Sequence, residues 1–287
     1  MGNETTEGGL PRAVAAAWGL LETPQRGPAR GLNHRRIAEA AVRIADDEGL
    51  AAVTMASVAR SLGFTTMSLY RYVSSKDELL RLMQNAAVEI PVETRLPDTW
   101  PEGIKTWADM VRLSYRSHPW LMDLPRDQAA VLMPNTMRAA ELGLATLAGL
   151  DLDDAEKLGV ILLISQHVMS MVELERSLAV EGGLSLTAEG LERLATVMTA
   201  EEFPHLAAMV STGGFSEDTP AGADRPDRAD PELAGLTDST DPADVEVEYA
   251  LGLELITAGI DALFARRGNA AATNSTARTA AREQSSP

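Results

Sequence analysis

The sequence predicts an all-α protein, and two observations support this fold class. Alanine, leucine and methionine outweigh the residues that favour β-strands, and no run alternates Val, Ile, Thr and Tyr with polar residues. Apolar residues instead recur at helical spacing. With 287 residues, of which 45% are hydrophobic, the chain can form one large domain or two modest ones around a real core.

Composition also excludes several classes of protein. Cysteine is absent, so a disulfide framework and a thiolate metal site are excluded. The first residues, MGNETTEGGLPR, lack a basic segment leading into a long apolar run, and no stretch approaches the roughly 18 apolar residues of a membrane span. We therefore predict a soluble, cytoplasmic protein without a membrane partner.

Residues 1–31 are predicted to be a flexible N-terminal extension. Its apolar stretch, AVAAAWGLL, is a candidate short helix that packs Trp18, and the Pro- and Gly-rich segment TPQRGPARG follows. The basic residues in and just after this segment suit an arm that touches phosphates or enters a minor groove: Arg26, Arg30, Arg35 and Arg36. A tail without fixed structure is the alternative for everything before Leu32.

The next two helices are predicted from their caps and glycines. One runs from Asn33, a candidate cap, to about Glu48 and ends at Gly49. Thr54 is placed to cap the second helix. The apolar face of that helix contains Val58, Ala59 and Leu62. Gly63 ends it, because glycine adopts a left-handed conformation without a Cβ clash.

The segment from Thr54 to Lys76, TMASVARSLGFTTMSLYRYVSSK, has the layout of a DNA-reading helix-turn-helix. Its second helix spans roughly Thr66 to Tyr72 and buries Leu69, with Val73 as a second candidate. The other side chains form a mixed hydroxyl, aromatic and cationic surface: Thr65, Thr66, Met67, Ser68, Tyr70, Arg71 and Tyr72.

This surface suits contacts with DNA. Arg71 can donate two hydrogen bonds to guanine O6 and N7, and Thr66 or Met67 can press on a thymine methyl. Tyr70 and Tyr72 are rigid and end in a hydroxyl, which suits them to phosphates. The alternative is that one of the two tyrosines packs against the first helix with its hydroxyl bonded.

A fourth helix is predicted to begin after Ser75 and to end near Glu89, before Pro91. Glu78, three residues after Ser75, completes a capping box. This helix completes a DNA-binding domain predicted to span residues 32–90.

The run GLAAVTMASVARSLGFTTMSLYRYVSSKDELLRLM resembles the N-terminal domain of tetracycline-repressor (TetR) family transcriptional regulators, over about Leu32 to Met83. The residues that carry the resemblance are Gly49, Thr54, Val58, Ala59, Leu62, Gly63, Leu69, Tyr70, Tyr72, Val73, Lys76, Leu79 and Leu80. It implies phosphate contacts by Thr54, Tyr70, Tyr72 and Lys76. It implies that Thr65, Thr66, Met67, Ser68 and Arg71 face base edges. Many relatives carry Arg where this chain has Ala56, so the contact made there is not carried over.

The charge distribution supports a separate DNA-reading part. The chain has a net charge of −17, yet residues 30–85 contain eight basic and six acidic side chains. Residues 86–287 contain fifteen basic and thirty-three acidic side chains. An acidic body weakens non-specific DNA binding and orients the basic surface toward DNA. Solubility is the simpler explanation for most of these carboxylates.

After the Pro-rich junction PVETRLPDTWP, a helical regulatory and dimerisation domain is predicted over residues 98–267. A helix runs from about Pro101 to His118. One broad face of it carries Trp107, Met110, Val111, Ser114 and Tyr115. A second helical run, Asp127 to Leu147, is interrupted near Pro134.

The next helix, Ala155 to Leu178, is apolar nearly all round and is predicted to be buried on most sides. Asp151 or Asp153 caps it, which explains the cluster with Asp154 better than a cation site does. Gln166, Ser170 and Glu173 share one face, with His167 beside them. Their partner is either a ligand, or a neighbouring helix or dimer mate. The candidate ligand-binding residues are Trp107, Val111, Tyr115, Gln166, His167, Ser170 and Met171, although methionine is also ordinary core filler.

The C-terminal third contains two more predicted helices. One spans about Thr187 to Thr199, and residues 212–243 are then a mobile acidic loop rich in Pro, Gly and Asp. Order returns at Val245 with an apolar stripe of Tyr249, Leu253, Ile256, Ile260, Leu263 and Phe264. Arg266 and Arg267 suit the C-terminus of this helix. It resembles the last helix of tetracycline-repressor-like C-terminal domains, which implies a four-helix homodimer interface. Residues 268–287 are a predicted disordered tail.

These observations favour a dimeric, ligand-responsive transcriptional regulator, most simply a repressor that an unknown small-molecule effector releases from a palindromic double-stranded DNA operator. The alternative is a DNA-binding regulator whose C-terminal domain only dimerises or binds a protein partner. An enzyme is not expected, because the four histidines show no metal-ligand spacing and no Gly-rich phosphate loop follows a strand. No cofactor or metal is predicted.

Overall fold

The structure is a computed structural model that describes residues 5–6, 9–21, 31–125, 127–179, 188–199, 201–207 and 245–263. Over these ranges the regular structure is helical, which confirms the all-α prediction. The predicted acidic loop 212–243, the tail 268–287, and Phe264, Arg266 and Arg267 lie outside the described residues. The chain forms two compact units, one of Met1–Val172 with Tyr249–Pro287 and one of Glu173–Glu248.

The described helices are numbered in chain order. They are α1 (Arg12–Ala17), α2 (His34–Glu48), α3 (Met55–Leu62), α4 (Thr66–Tyr70), α5 (Lys76–Ala87), α6 (Trp100–Ser117), α7 (Gln128–Val131), α8 (Pro134–Thr146), α9 (Asp154–Ala179), α10 (Ala188–Val197) and α11 (246–263). Two 3-10 turns, Leu50–Ala52 and Pro119–Asp123, connect them.

Local capping chemistry explains where the helices of the first unit begin and end. Asn33 Oδ1 accepts the backbone N–H of Arg36 at 2.8 Å, and Thr54 Oγ1 accepts that of Ser57 at 3.0 Å. Gly49 and Gly63 end α2 and α3 with φ angles of 84° and 75°, a region that favours glycine. The structure selects Asp153 as the cap of α9.

Asp153 and Glu156 form a reciprocal capping box, with both hydrogen bonds at 2.9 Å.

The capping box predicted at Ser75 and Glu78 is only half formed. Ser75 does cap α5 by accepting the Glu78 N–H at 3.1 Å. The Glu78 carboxylate, however, accepts from the backbone N–H and hydroxyl of Ser74, at 2.7 and 2.6 Å. The Glu78 side chain therefore holds the turn that follows α4.

Residues 9–21 of the N-terminal extension contain α1, the short helix for which the apolar stretch of the sequence was a candidate. Ala13, Val14, Ala15 and Ala16 of α1 are at most 7% exposed, because α1 packs against α5. Trp18 Nε1 donates to the carbonyl oxygen of Leu132 at 2.9 Å. Small side chains allow this close approach.

The core that contains the helix-turn-helix also includes residues from beyond the predicted domain boundary. Trp120, Leu121 and Leu124, which follow α6, belong to the same buried cluster as Ile37 and Leu79. Trp120 Nε1 donates to Asp46 Oδ1 of α2 at 2.7 Å. The Pro-rich junction therefore does not separate two independent cores within this unit.

α9 is less buried than its composition predicts. Leu158, Leu162 and Leu163 are 55%, 60% and 53% exposed, which corrects the prediction that the helix is buried on most sides. Ile164 and Val168, on the other side of α9, are fully buried in a second cluster with Trp107 of α6.

A stacked polar network joins α6, α9 and α11. The His167 ring stacks on Tyr249 with a centroid separation of 5.6 Å, and Nε2 lies 2.9 Å from the Tyr249 carbonyl oxygen. The Tyr249 hydroxyl donates to Asp109 at 2.8 Å, and the Arg112 guanidinium lies 3.9 Å from the ring centroid. Gly252 allows this packing, because a Cβ at that position would overlap the His167 ring.

Gly252→Ala is therefore expected to destabilise the protein by about 1–3 kcal/mol, because the clash displaces His167 from Tyr249. Gly259→Ala on the same helix is the matched control. A Cβ there meets nothing within 4 Å, so we expect a gain of about 0.5–1 kcal/mol from helix propensity. Thermal unfolding followed by circular dichroism checks this, at an oligomeric state verified by gel filtration. Equal stabilities of the two variants would show that α11 does not pack on His167.

Candidate DNA interface and ligand cavity

The recognition helix α4 is short and is positioned by its cap and its buried residues. Thr65 Oγ1 accepts the Ser68 N–H at 3.2 Å and lies 2.9 Å from the Ser68 hydroxyl. Leu69 and Val73 are fully buried in the core cluster. These contacts fix the five-residue helix, so its outer side chains are presented in one orientation.

The outer side chains of α4 are exposed as the sequence suggested. Met67 is 75% exposed and Tyr70 is 48% exposed, while Arg71 and Lys76 also face solvent. Thr66 and Ser68 are half-buried, and Thr54 is exposed at the start of α3. The structure therefore brings hydroxyl, aromatic and cationic groups together around α4.

Tyr72 differs from Tyr70 because it packs inside the domain. It is half-buried, and its ring meets the His34 ring edge-on at a centroid separation of 6.1 Å. His34 Nε2 also lies 2.9 Å from the Tyr72 carbonyl oxygen. Tyr72 thus joins α2 to the end of the recognition segment, whereas Tyr70 is the more accessible tyrosine.

The arginines considered as a basic arm make contacts within the protein. Arg35 binds Glu39 at 2.8 Å and Glu89 at 3.2 Å, and the hydrogen bond to Glu39 with both carboxylate charges raises the pKa of its guanidinium. Arg36 donates to the Gly31 carbonyl oxygen at 2.9 Å. Arg26 and Arg30 lie outside the described residues.

A cavity of about 170 Å³ lies within the first unit, between α5, α6, α8 and α9. Its lining comprises Gln84, Val88, Ile90, Trp107, Met110, Val111, Ser114, Tyr115, Leu121, Thr136, Ala139, Ala140, Ile161, Ser165 and Met169. Trp107 is held in the wall by donating from Nε1 to the Ala139 carbonyl oxygen at 2.7 Å. Gly143 lets α8 approach this ring, since a Cβ there would lie 2.7 Å from Trp107 Cε2.

Two protein-family models match this chain, and together they cover most of its length. Residues 37–83 match bacterial regulatory proteins of the tetR family, and residues 93–222 match the tetracyclin repressor-like C-terminal domain. The HTH-type transcriptional repressor DrrR1 of Streptomyces coeruleorubidus is 31% identical over 272 residues, 92% of this chain and 90% of the relative. The chain belongs to the TetR family. Its members are helix-turn-helix transcriptional regulators and not enzymes.

Solved TetR-family structures have the same fold. Apo ActR from Streptomyces coelicolor matches with a TM-score of 0.60 at 26% identity, over 85% of this chain and all of ActR. ActR in complex with actinorhodin also matches with a TM-score of 0.60, at 25% identity, over 80% of this chain and 96% of that one. The comparison extends beyond the helix-turn-helix to the C-terminal helices.

The cavity of this TetR-family chain includes only some of the predicted ligand residues. Trp107, Val111 and Tyr115 line it. Gln166, His167, Ser170 and Met171 are not among the residues that line this cavity. Gln166 and Ser170 are exposed, His167 stacks on Tyr249, and Met171 packs against the second core cluster.

Because α9 is apolar nearly all round, the sequence does not indicate which side of the helix faces a cavity. The side that does so carries Ile161, Ser165 and Met169. The sequence also missed the contribution of α5 and of the residues after it, Gln84, Val88 and Ile90. No local signal identifies these residues, because they became part of the cavity only through contact between distant helices.

α5 and α8 are joined directly beside the cavity. Asn85 Oδ1 accepts the backbone N–H of Asn135 at 2.9 Å, and Asn135 Nδ2 donates to the Asn85 carbonyl oxygen at 2.7 Å. α8 has no side-chain cap of its own, so Asn85 satisfies one of its free N–H groups. The neighbours of this pair, Gln84 and Thr136, line the cavity.

A second link ties α5 to the start of α7. Arg81 donates to Asp127 at 2.6 Å. Burial alone raises the pKa of Asp127, but the Arg81 hydrogen bond and charge, with the backbone N–H groups of Ala129 and Ala130, lower it overall. A carboxyl group with a lowered folded-state pKa stabilises the fold above its unfolded pKa of about 3.9, and this contribution is lost as the pH falls through the folded value.

Acidic side chains do not form a metal site in the part of the chain that the structure describes. No group of three or more His, Cys, Asp or Glu residues there is placed to hold an ion. In the cluster Asp151, Asp153 and Asp154, Asp153 caps α9 by accepting the Glu156 N–H.

Proposed function

We propose that this protein is a dimeric transcriptional repressor that a small-molecule effector releases from a palindromic operator. The position of the cavity on α5 carries this proposal. α5 begins six residues after the end of α4 and supplies Gln84 to the cavity wall, and Val88, directly after α5, also lines the cavity. A ligand in the cavity therefore touches the same helix that follows the recognition helix.

Two relatives support the proposal by their names. DrrR1 is a transcriptional repressor. ActR, which has the same fold as this chain, has been crystallised with actinorhodin. The cavity favours effector control over the alternative in which the C-terminal domain only dimerises or binds a protein, because those functions do not require a cavity that contacts α5.

The DNA-binding roles follow from the exposure of α4. We assign base contacts to Arg71, Met67, Thr65, Thr66 and Ser68, and phosphate contacts to Tyr70, Tyr72, Lys76 and Thr54. Arg71 and Met67 project from the helix, which suits them to the major groove. The Tyr72 ring is packed on His34, so only its hydroxyl is assigned to a phosphate.

The dimer is assigned to exposed apolar faces of α9 and α11, which pack on each other within one protomer through His167 and Tyr249. Leu158 and Leu162 lie four residues apart on α9, 55% and 60% exposed. Leu251 and Leu255 have the same spacing on α11, 53% and 65% exposed. A second copy that covers both pairs would remove four exposed leucines from water.

α9 also meets the length and hydropathy criteria for a membrane span, among the described helices. Those criteria are weak for a single helix, and a helix that packs against a second copy meets them as well. Its buried residues Ile164 and Val168 belong to the same core cluster as Trp107 of an amphipathic helix, which favours a helix of a folded protein core over a membrane span.

Operator binding needs two copies because one short helix reads few base pairs. A two-fold dimer places two copies of α4 in major grooves about 34–36 Å apart or somewhat more. An effector shifts the protein from the DNA-binding state only by its greater affinity for the other state. We assign this difference in effector affinity to contacts with the side of the cavity wall that α5 forms.

The proposal is tested with DNA that flanks the protein's own gene. In mobility-shift titrations we expect a specific complex with a Kd of about 10⁻⁸–10⁻¹¹ M at physiological salt, and a footprint over an inverted repeat. Scrambled DNA of equal length is the control. Binding that is equal for both DNAs and vanishes with salt would contradict a role as a specific repressor. A footprint on one half-site only would contradict the dimer.

A further inference from the structure

We infer that the cavity binds an uncharged molecule with an apolar body of one or two rings and a neutral hydrogen-bonding group directed to Gln84 and Thr136. The inference rests on the proposed function only in that it assigns the cavity to the effector. The binding chemistry itself follows from the residues of the cavity wall.

Among the residues that the structure describes, no Asp, Glu, His, Lys or Arg side chain lines the cavity. Three titratable residues on α6 and α8 have partners elsewhere. Asp109 accepts from Tyr249, Arg112 lies over the Tyr249 ring, and Arg138 donates to the Val92 carbonyl oxygen at 2.8 Å. An ionised ligand group that leaves water to enter the cavity would find no partner of opposite charge among these residues, which is unfavourable.

The size and apolar lining of the cavity define the ligand body. A volume of about 170 Å³ is close to that of an engineered apolar cavity of about 150 Å³ that binds benzene. The Trp107 ring offers an aromatic surface, and Met110 and Met169 are polarisable and adaptable. A flat apolar ring system matches this wall.

The polar groups in the wall define where the hydrogen-bonding group lies. The Ser114 and Ser165 hydroxyls donate to the carbonyl oxygens of Met110 and Ile161 in their own helices, at 3.2 and 2.8 Å. Gln84 and Thr136 make no side-chain hydrogen bond to any residue that the structure describes. A ligand hydroxyl or carbonyl satisfies these two groups, and it does so beside the Asn85 and Asn135 hydrogen bonds that join α5 to α8.

The test uses three naphthalenes of nearly equal size at pH 7 on the full chain without DNA. These are neutral 2-naphthol, anionic 2-naphthoate and cationic 2-(aminomethyl)naphthalene. Binding is measured by quenching of tryptophan fluorescence and by the rise in Tm. We expect 2-naphthol to bind and each ion to bind at least about tenfold more weakly, because the cavity offers no opposite charge. An ion that binds as tightly as 2-naphthol, or no binding of 2-naphthol, would overturn the inference.

A matched variant tests the polar end. Thr136→Val keeps the shape of the side chain and removes its hydroxyl, so 2-naphthol affinity is expected to fall about 2–10-fold. The affinity for 2-methylnaphthalene, which lacks the hydroxyl, should not change. An equal loss for both ligands would contradict a hydrogen bond at Thr136. If 2-naphthol binds selectively but leaves the operator complex intact, the inference on ligand class holds and effector release by this cavity fails.

Discussion

Arg71→Ala is expected to weaken specific operator binding strongly while the protein stays folded and dimeric. Arg71 is exposed at the C-terminal end of α4, and the structure gives it no role in the core. A bidentate contact with guanine is worth about 1–3 kcal/mol of discrimination. A dimer loses it in both half-sites, so the operator Kd should rise by about 30-fold to 10⁴-fold.

Mobility-shift titration measures this effect, with circular dichroism and gel filtration as checks on the fold and the dimer. Arg95→Ala is the charge-matched control. Arg95 is also exposed, but it lies in the segment between α5 and α6 and donates to the carbonyl oxygens of Val92 and Thr94. If both variants bind the operator equally well, Arg71 does not read DNA and its assignment is wrong.

The packing of Tyr72 decides which tyrosine variants isolate a DNA contact. Tyr72→Ala removes a ring that packs on His34, so weaker DNA binding by this variant would also reflect a damaged domain. Phenylalanine keeps the ring at each position and removes only the hydroxyl. Tyr70→Phe and Tyr72→Phe therefore test the phosphate contacts, and Tyr72→Ala does not.

Leu162→Asp combined with Leu255→Asp is expected to convert the dimer into monomers. Each side chain is at least 60% exposed in one protomer, so the fold of that protomer does not need it. In the proposed interface each carboxylate would be buried in an apolar surface, which should weaken association at least about a hundredfold. Operator affinity should collapse with it, because a monomer contacts only one half-site.

Analytical ultracentrifugation measures the dissociation, and mobility shift measures the loss of operator binding. Leu113→Asp is the matched control, since Leu113 is 63% exposed on α6 and lies outside the proposed interface. A dimer that survives the double substitution would place the interface elsewhere. Monomers that still bind the operator with full affinity would contradict the dimeric mode of recognition.

Much of the helix-turn-helix was predictable because its signals are local. Asn33 and Thr54 cap α2 and α3 by hydrogen bonds to residues three positions on, and the left-handed glycine Gly63 ends α3. Leu69 and Val73 are buried at the predicted spacing. These features depend on neighbours in the chain, so a single sequence suffices to place them.

The cavity and the packing of the N-terminal helix were harder to predict because their contacts join distant residues. Small alanines bury α1 against α5. α9 is apolar on nearly every side, so the sequence did not indicate that Ser165 faces the cavity while Gln166 faces solvent. Rotation of a helix about its own axis is set by its packing partners.

The sequence by itself determined an all-helical chain of the TetR type, the position of its recognition helix and the side chains that this helix exposes. Caps, turns and helical periodicity depend on residues a few positions apart, so they can be recognised from the sequence alone. Only the tertiary structure decided that α5 forms a wall of the ligand cavity and that Asn85 of α5 caps α8. Those contacts join residues about fifty positions apart, where packing rather than local spacing determines which groups meet.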